Sequence, residues 1–311
     1  MKNKKVVITG GAGFIGSHIA EELAEENEVL IIDNLSTGKK ENIKHLIDNE
    51  KIIFKKGDIR DLNFLKKEFE NVDYVFHQAA VVSVPFSVEN PSITNEVNVA
   101  GTLNVLTAAK ENDVKKVVFA SSCAVYGNNQ NLPLKEETLP MPLSPYAASK
   151  LAGEAYCNVF AHVYGLPTAS LRYFNVYGPR QDAASPYAAV IPKFIERVRN
   201  GMPPVIYGDG KQTRDFIYVR DVVKANILAA ESTATGIFNI ASGKAISIEE
   251  LAYKIIEIAG KNKNIRPLYE KPRPGDIRYS MADIAKARKE LNFHPQYTLQ
   301  EGLKEMMGKN A

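Results

Sequence analysis

Only two cysteines, Cys123 and Cys157, occur in 311 residues, and the five histidines show no HxxxH or HExxH spacing. Two thiols so far apart make neither a disulfide scaffold nor a four-ligand zinc site, so no metal is expected. No apolar run approaches the length of a membrane span, and the apolar stretch in MKNKKVVITG is too short for a signal peptide. A soluble cytoplasmic protein with no membrane partner is the expectation. An excess of one charge is also lacking: 39 Lys plus Arg face 36 Asp plus Glu, a net +3. The basic residues are dispersed, apart from KPRPGDIR, so no nucleic-acid partner is expected and that one cluster suits phosphates. Hydrolase chemistry is disfavoured as well, because no GxSxG elbow occurs.

What is present is an alternation. Short β-branched runs at 4–9, 28–33, 51–55, 73–76 and 117–119 read as buried parallel strands. Between them, 14–26, 62–69 and 91–111 read as helices, with further helices at 145–163, 190–199 and 248–259 and a strand at 168–172. Strand and helix taking turns through the first half predicts an α/β fold, a Rossmann-like doubly wound parallel sheet. After Asn175 the proline- and glycine-rich stretches YGPRQ, NGMPPVIYGDG and EKPRPGD indicate a smaller mixed α/β C-terminal domain. The strands near Ala169 and Phe238 fit either layer.

Gly10, Gly13 and Gly16 in TGGAGFIGSH end the first strand and open the first helix, where missing side chains let a diphosphate reach backbone N–H groups. Asp33 closes the second strand, where a carboxylate accepts from adenosine ribose hydroxyls and repels a 2′-phosphate, which favours NAD over NADP. Phe14 and Ile15 in the glycine turn, and Asn34 and Gly38 in DNLSTG, complete that part of the predicted cofactor site. Asp58 and Ile59 in GDIRD, and Ala79 and Ala80 in HQAA, stand at strand ends on the same edge and are expected beside the cofactor or packed under it. His77 reads as a packed strand-end residue, since no acid lies near it in sequence.

Tyr146 and Lys150 in SPYAASK share one helix face. A phenol with a reference pKa of about 10 is a poor base near neutrality. A neighbouring ammonium and an oxidised nicotinamide both favour phenolate, so Tyr146 can take a proton from a substrate hydroxyl. Ser122 in FASSCAVYG would hold and relay that proton, with Ser121 as the competing choice.

In this order the motifs GGAGFIGSH, DNLSTG, GDIRD, HQAA, SSCAVYG, YAASK, RYFNVYGPRQ, GDGKQTRDFIYVRD and RPGDIR resemble the extended short-chain dehydrogenase/reductases, and among them the UDP-glucose and UDP-N-acetylglucosamine 4-epimerases, over nearly the full length. The resemblance implies that Tyr146 and Ser122 are the active tyrosine and serine, that Lys150 holds the nicotinamide ribose and that Asn98 lines the cofactor cleft. It implies UDP contacts from Asn175, Arg214, Arg273 and Asp276, with Ala189 and Val190 near the uracil and sugar. Residues 1–175 would then be mainly the NAD-binding part and 176–311 mainly the UDP-sugar part, with some segments returning to the first. A homodimer through helices near 95–111 and 145–163 is implied too.

The reaction implied is inversion at C4 of a UDP-hexose through a 4-keto sugar, with NAD kept bound. Dehydratases of this family carry Asp and Glu after the active hydroxyl residue, where this chain has Cys123 and Ala124. Four residues beyond the RPGD aspartate, forms restricted to plain hexoses carry a bulky tyrosine, and this chain has Ser280, or Tyr279 if the register slips by one. With Gln181 of YGPRQ near the sugar, an enzyme taking both N-acetylated and plain UDP-hexoses is expected. UDP-glucuronate 4-epimerisation, a non-catalytic NAD-binding scaffold and a net NAD-linked dehydrogenase stand as alternatives.

Overall fold

A computed structural model describes residues 1–182, 189–260, 265–272 and 277–308. The described residues include twelve strands: β1 (Lys5–Thr9), β2 (Glu28–Asp33), β3 (Ile52–Lys56), β4 (Tyr74–His77), β5 (Lys116–Ser122), β6 (Thr168–Tyr173), β7 (Asn175–Tyr177), β8 (Val205–Tyr207), β9 (Thr213–Tyr218), β10 (Gly236–Ile240), β11 (Ala245–Ser247) and β12 (Leu268–Glu270). Seven of them form one sheet in the order β10-β6-β5-β4-β1-β2-β3, with every neighbouring pair parallel. The strand near Phe238 thus belongs to the large sheet, as its edge.

Period-two alternation explains why helices cover both faces. Val6, Ile8, Val29 and Ile31 pack to one side with Ile19 and Val222, while Val7, Leu30, Ile32 and Val75 pack to the other with Leu65 and Leu106. Each such aliphatic side chain contributes on the order of 1.5–3 kcal/mol of burial, so a one-residue register slip would be prohibitive. Chain order reverses at β1, which has β2 on one side and β4 on the other. That switch point opens a crevice at the strands' carboxyl ends.

The remaining strands form a three-stranded sheet, β11-β9-β7, and a β8-β12 pair. They pack with helices Val190–Arg199 and Ile248–Ile258 around a separate core of Phe194, Ile206, Phe216, Leu251 and Ile255. Helix Ile248–Ile258 starts in a capping box of Ser247 and Glu250, which fixes its first turn.

Two elements depart from the sequence expectation. The helix expected at 91–111 is interrupted by a π-helical turn over Glu96–Ala100, between Pro91–Asn95 and Gly101–Glu111. Helix Val219–Glu231, which packs on helix Phe14–Leu23, was not anticipated. No helix among the described residues is long and apolar enough to cross a membrane.

Candidate active site

The loops after β1 and β4 touch at the switch point. Gly10 has φ +71° and its N–H donates to the Ile32 carbonyl at 2.8 Å; a Cβ there would sit 2.6 Å from the Ala79 nitrogen. Gly16 is as tightly placed, since a Cβ would collide with the Gly10 carbonyl oxygen. Gly13 precedes helix Phe14–Leu23 with no side-chain cap and no acid in the first turn. The N–H groups around Phe14, Ile15 and Gly16 therefore form an electropositive helix end suited to a diphosphate.

Asp33 is buried at the end of β2 and accepts from the Ala12 N–H at 3.0 Å and the Leu35 N–H at 2.8 Å. Burial nonetheless pushes its carboxyl upward. A carboxylate has about four acceptor sites, so these two bonds leave capacity for ribose hydroxyls. Gly38 lies against it, where a Cβ would be 2.7 Å from Asp33 Oδ2. Asn34 donates to Asp58 at 2.9 Å, and Arg60 forks onto the same carboxylate at 3.0 and 2.8 Å, holding its pKa far below the usual range. Ile59 is buried next to Gly101, and Ala79 and Ala80 are half-buried behind β4. These residues fit a dinucleotide whose ribose lacks a 2′-phosphate.

His77 is a supporting residue of that wall. Thr102 donates its hydroxyl proton to the Asn98 carbonyl at 2.6 Å, so at 2.9 Å it accepts from His77 Nε2. His77 Nδ1 then accepts from Thr9 Oγ1 at 2.7 Å. Complete burial pushes the imidazole down to about 3, which makes it neutral and unfit as a base near pH 7. Asn98 is buried in the π-helical turn; it accepts from the Val81 N–H at 2.7 Å and donates to the Val81 carbonyl and to Ser149 Oγ, each at 2.9 Å. It thereby ties the loop after β4 to the helix that carries Tyr146, and π turns recur at such functional places.

That helix, Pro145–Val163, begins with Ser144 accepting from the Ala147 N–H at 3.1 Å and Pro145 in its first turn, where no N–H is needed. The Tyr146 N–H donates to Ser87 Oγ at 3.1 Å. Burial pushes the Tyr146 phenol up to about 12, with the neighbouring Ser122 hydroxyl favouring phenolate against it. Lys150, one turn on, is 3% exposed, donates to the Ala120 carbonyl at 2.8 Å and is pushed down to about 8 by burial. Its Nζ lies 6.0 Å from the Tyr146 ring centroid. Ser122 caps the short turn Cys123–Tyr126 by accepting from the Ala124 N–H at 3.2 Å. Ser121 points elsewhere, donating to Glu154.

A cavity of about 510 Å³ adjoins this edge and is lined by Asn175, Gln181, Ala189, Val190 and Arg214, five of the sequence-predicted substrate residues. Lys193, Tyr207 and Gln212 also line it and were missed, although Gln212 stands in the GDGKQTRD motif already noted. Gln181 Oε1 and Gln212 Oε1 are buried acceptors with no hydrogen-bond partner among the described residues, open to donors of a bound molecule. Burial pushes the Cys123 thiol up to about 12. Arg214 donates to the Thr213 carbonyl at 2.8 Å, and Asn175 to the Asp215 carbonyl at 3.0 Å. Ser280 is buried while Tyr279 is exposed under the Arg278 guanidinium, the alternation of an extended segment. Arg273 and Asp276 lie outside the described residues.

A sequence model of the NAD dependent epimerase/dehydratase family matches residues 6–241. The chain is 45% identical over 307 residues to a putative UDP-glucose 4-epimerase of Methanocaldococcus jannaschii, covering 97% of each. It is similar to the UDP-N-acetylglucosamine 4-epimerase of Methanobrevibacter ruminantium, solved with UDP-N-acetylmuramic acid, at TM-score 0.95 and 49% identity over 99% of this chain and 98% of that one. The UDP-glucose 4-epimerase of Thermus thermophilus, solved with NAD, matches at TM-score 0.87 and 40% identity over 98% of both chains.

Proposed function

The chain belongs to the NAD dependent epimerase/dehydratase family, and on that footing we propose that it inverts C4 of UDP-hexoses, both UDP-GlcNAc/UDP-GalNAc and UDP-glucose/UDP-galactose. The observation that carries this reading is the placement of Tyr146 and Lys150 on one face of helix Pro145–Val163, with Lys150 tied to the Ala120 carbonyl two residues before Ser122.

The Gly10–Gly16 turn and Asp33 would hold NAD, which when bound would supply a reversible acceptor for the C4 hydrogen. Tyr146 takes the 4-hydroxyl proton through Ser122 and returns it when the opposite face of the 4-keto sugar is presented. Lys150 would hold the nicotinamide ribose, and its charge favours the phenolate form of Tyr146. Arg214, with Arg273 outside the described residues, holds the diphosphate, and Asn175 supports it; Asp276 holds the uridine ribose. The division into a mainly NAD-binding part, 1–175, and a mainly UDP-sugar part, 176–311, from which β10 and helix Val219–Glu231 return to the large sheet, follows from these roles.

The walls around Tyr146 favour simple epimerisation. Dehydration needs an acid and a base after Ser122, and a Cys123 thiol pushed up to about 12 beside Ala124 supplies neither. A glucuronate carboxylate needs a cation near C6 or a close ring of hydroxyl and amide donors, and the segments 79–88, 121–128 and 139–146 contain no Lys or Arg to serve as the first. Ser280 is buried and does not line the cavity of Arg214, so room for an N-acetyl group is supported by a serine standing where related forms restricted to plain hexoses carry a bulky tyrosine.

Helix Pro145–Val163 also presents an outward stripe of Ala148, Ala155, Tyr156, Val159 and Val163, opposite Tyr146 and Lys150. With exposed Ile93 nearby on the neighbouring helix, this face suits a homodimer, checked by the mass in solution.

The test is UDP-GlcNAc deuterated at C4. Epimerisation keeps the deuterium at C4 of UDP-GalNAc with no net reduction of cofactor. Loss of the label, or steady accumulation of reduced cofactor, would mean a net dehydrogenase instead.

A further inference from the structure

Helix Pro145–Val163 carries a third inward residue at the spacing of Tyr146 and Lys150, namely Glu154. Arg172 of β6 grips its carboxylate with Nε on Oε1 at 2.8 Å and Nη2 on Oε2 at 2.7 Å. Both side chains are buried, 2% and 1% exposed, and neither lines the cavity. The Ser121 hydroxyl donates to the same carboxylate, and Ser121 is the register partner of Arg172 between β5 and β6.

The end of β5 is thus tied to the helix at two successive residues, the Ala120 carbonyl accepting from Lys150 and the Ser121 hydroxyl donating to Glu154, and the next residue, Ser122, neighbours the Tyr146 phenol. A buried ion pair is a weak source of stability, because desolvating two charges roughly cancels their attraction, and an apolar pair would pack as well. What a forked guanidinium on a carboxylate does supply is one fixed orientation. The far side of Arg172 is equally constrained: Nη1 donates to the Glu136 carbonyl at 3.2 Å and the guanidinium lies 4.6 Å from the centre of the Tyr126 ring. Tyr126 in turn donates to Asn239 at 2.6 Å, and Asn239 donates to the carbonyls of Leu134 and Asp283 at 2.9 and 3.2 Å, next to the segment of Ser280.

We propose that Glu154, oriented by Arg172, is a positioning residue that sets the register of the β5 end against the helix so that the Ser122 hydroxyl meets the Tyr146 phenol. This rests on the roles given to Ser122 and Tyr146 above. Misplacement of reacting groups by about 1 Å costs on the order of a hundredfold in rate, so a register pin acts on turnover rather than on affinity.

Two variants test it. Ser121→Ala removes one hydroxyl without leaving a buried charge, and Glu154→Leu/Arg172→Met removes both charges together, so each is expected to fold. With the UDP-hexose that the parent turns over, kcat should fall about fivefold in the first and about thirtyfold or more in the second, with KM and bound NAD within about twofold. A kcat within about twofold of the parent in both would reduce the pair to packing and overturn the proposal.

A substrate-free readout separates this from failure of the proposed reaction. The Tyr146 phenol is titrated by ultraviolet difference between each protein and its Tyr146→Phe counterpart. The ionisable groups facing that phenol are Lys150 on its own helix and Cys123 after β5, and the segment 79–88 adds no charge. Weakening the Ser122 bond should raise the phenol's pKa in Ser121→Ala. An unchanged titration would contradict the register role whether or not the parent acts on any of the sugars.

Discussion

The Lys150 ammonium hangs from the Ala120 carbonyl at 2.8 Å and lies 6.0 Å from the ring centre of Tyr146, so a buried cation and a half-buried tyrosine share one helix face. Removing that cation takes away a charge that favours phenolate. Lys150→Met should therefore lower kcat at least about tenfold and move the acidic limb of the pH–rate profile to higher pH. A profile with an unmoved limb would show that Lys150 has no electrostatic hold on Tyr146.

Tyr146→Phe keeps the ring and deletes the proton carrier. Turnover should fall at least about a hundredfold while bound NAD and UDP-sugar affinity stay near the parent's, read by kinetics and by calorimetry. Preserved turnover would remove Tyr146 from the reaction.

Cys123 stands beside the reaction centre yet its thiol is pushed up to about 12, as is that of Cys157. Thiolate is the reactive form, so folded protein at pH 8 should resist iodoacetamide for hours and take two labels per chain when denatured, as mass spectrometry would record. Rapid labelling of Cys123 in the folded protein would show a thiol far more acidic than its surroundings allow.

His77 is held neutral, pushed down from an ordinary value near 6.5 to about 3. The unfolded state binds the proton more readily through this window, so the contribution of His77 to stability is full above about pH 6.5 and is lost as the pH falls toward 3. Nitrogen-15 NMR should show His77 as the Nε2–H tautomer, unchanged down to pH 5. A His77 signal that titrates near 6.5 would contradict the Thr9–His77–Thr102 chain.

Ser280 is buried where Tyr279 is exposed. Ser280→Tyr should raise KM or lower kcat for UDP-GlcNAc at least about tenfold more than for UDP-glucose, since added bulk discriminates against the larger ligand. Equal losses would place the sugar's C2 somewhere else.

Much of this was legible in the chain itself, because the signals were local. β-branched runs ending in glycine marked β1 and β2, and the spacing of Tyr146 and Lys150 put them on one face. Helix Val219–Glu231 was not legible, because VRDVVKANILAAE begins without a break after β9 and no turn residue separates them. The π turn at Asn98 arises from tertiary ties to Val81 and Ser149 that lie 17 and 51 residues away. Glu154 and Arg172 read as an ordinary helix acid and a strand arginine until the sheet register brings them together. A packed His77 is legible from the lack of an acidic neighbour, but its two threonine partners, 68 and 25 residues distant, are not.

The most direct measurement is a side-by-side epimerisation assay of the purified protein with UDP-GlcNAc, UDP-glucose and UDP-glucuronate, following both C4 epimers by NMR. The account predicts conversion of UDP-GlcNAc and of UDP-glucose, and no conversion of UDP-glucuronate. Turnover of UDP-glucuronate alone would contradict it, because the segments around Tyr146 would then have to hold a carboxylate without a Lys or Arg of their own.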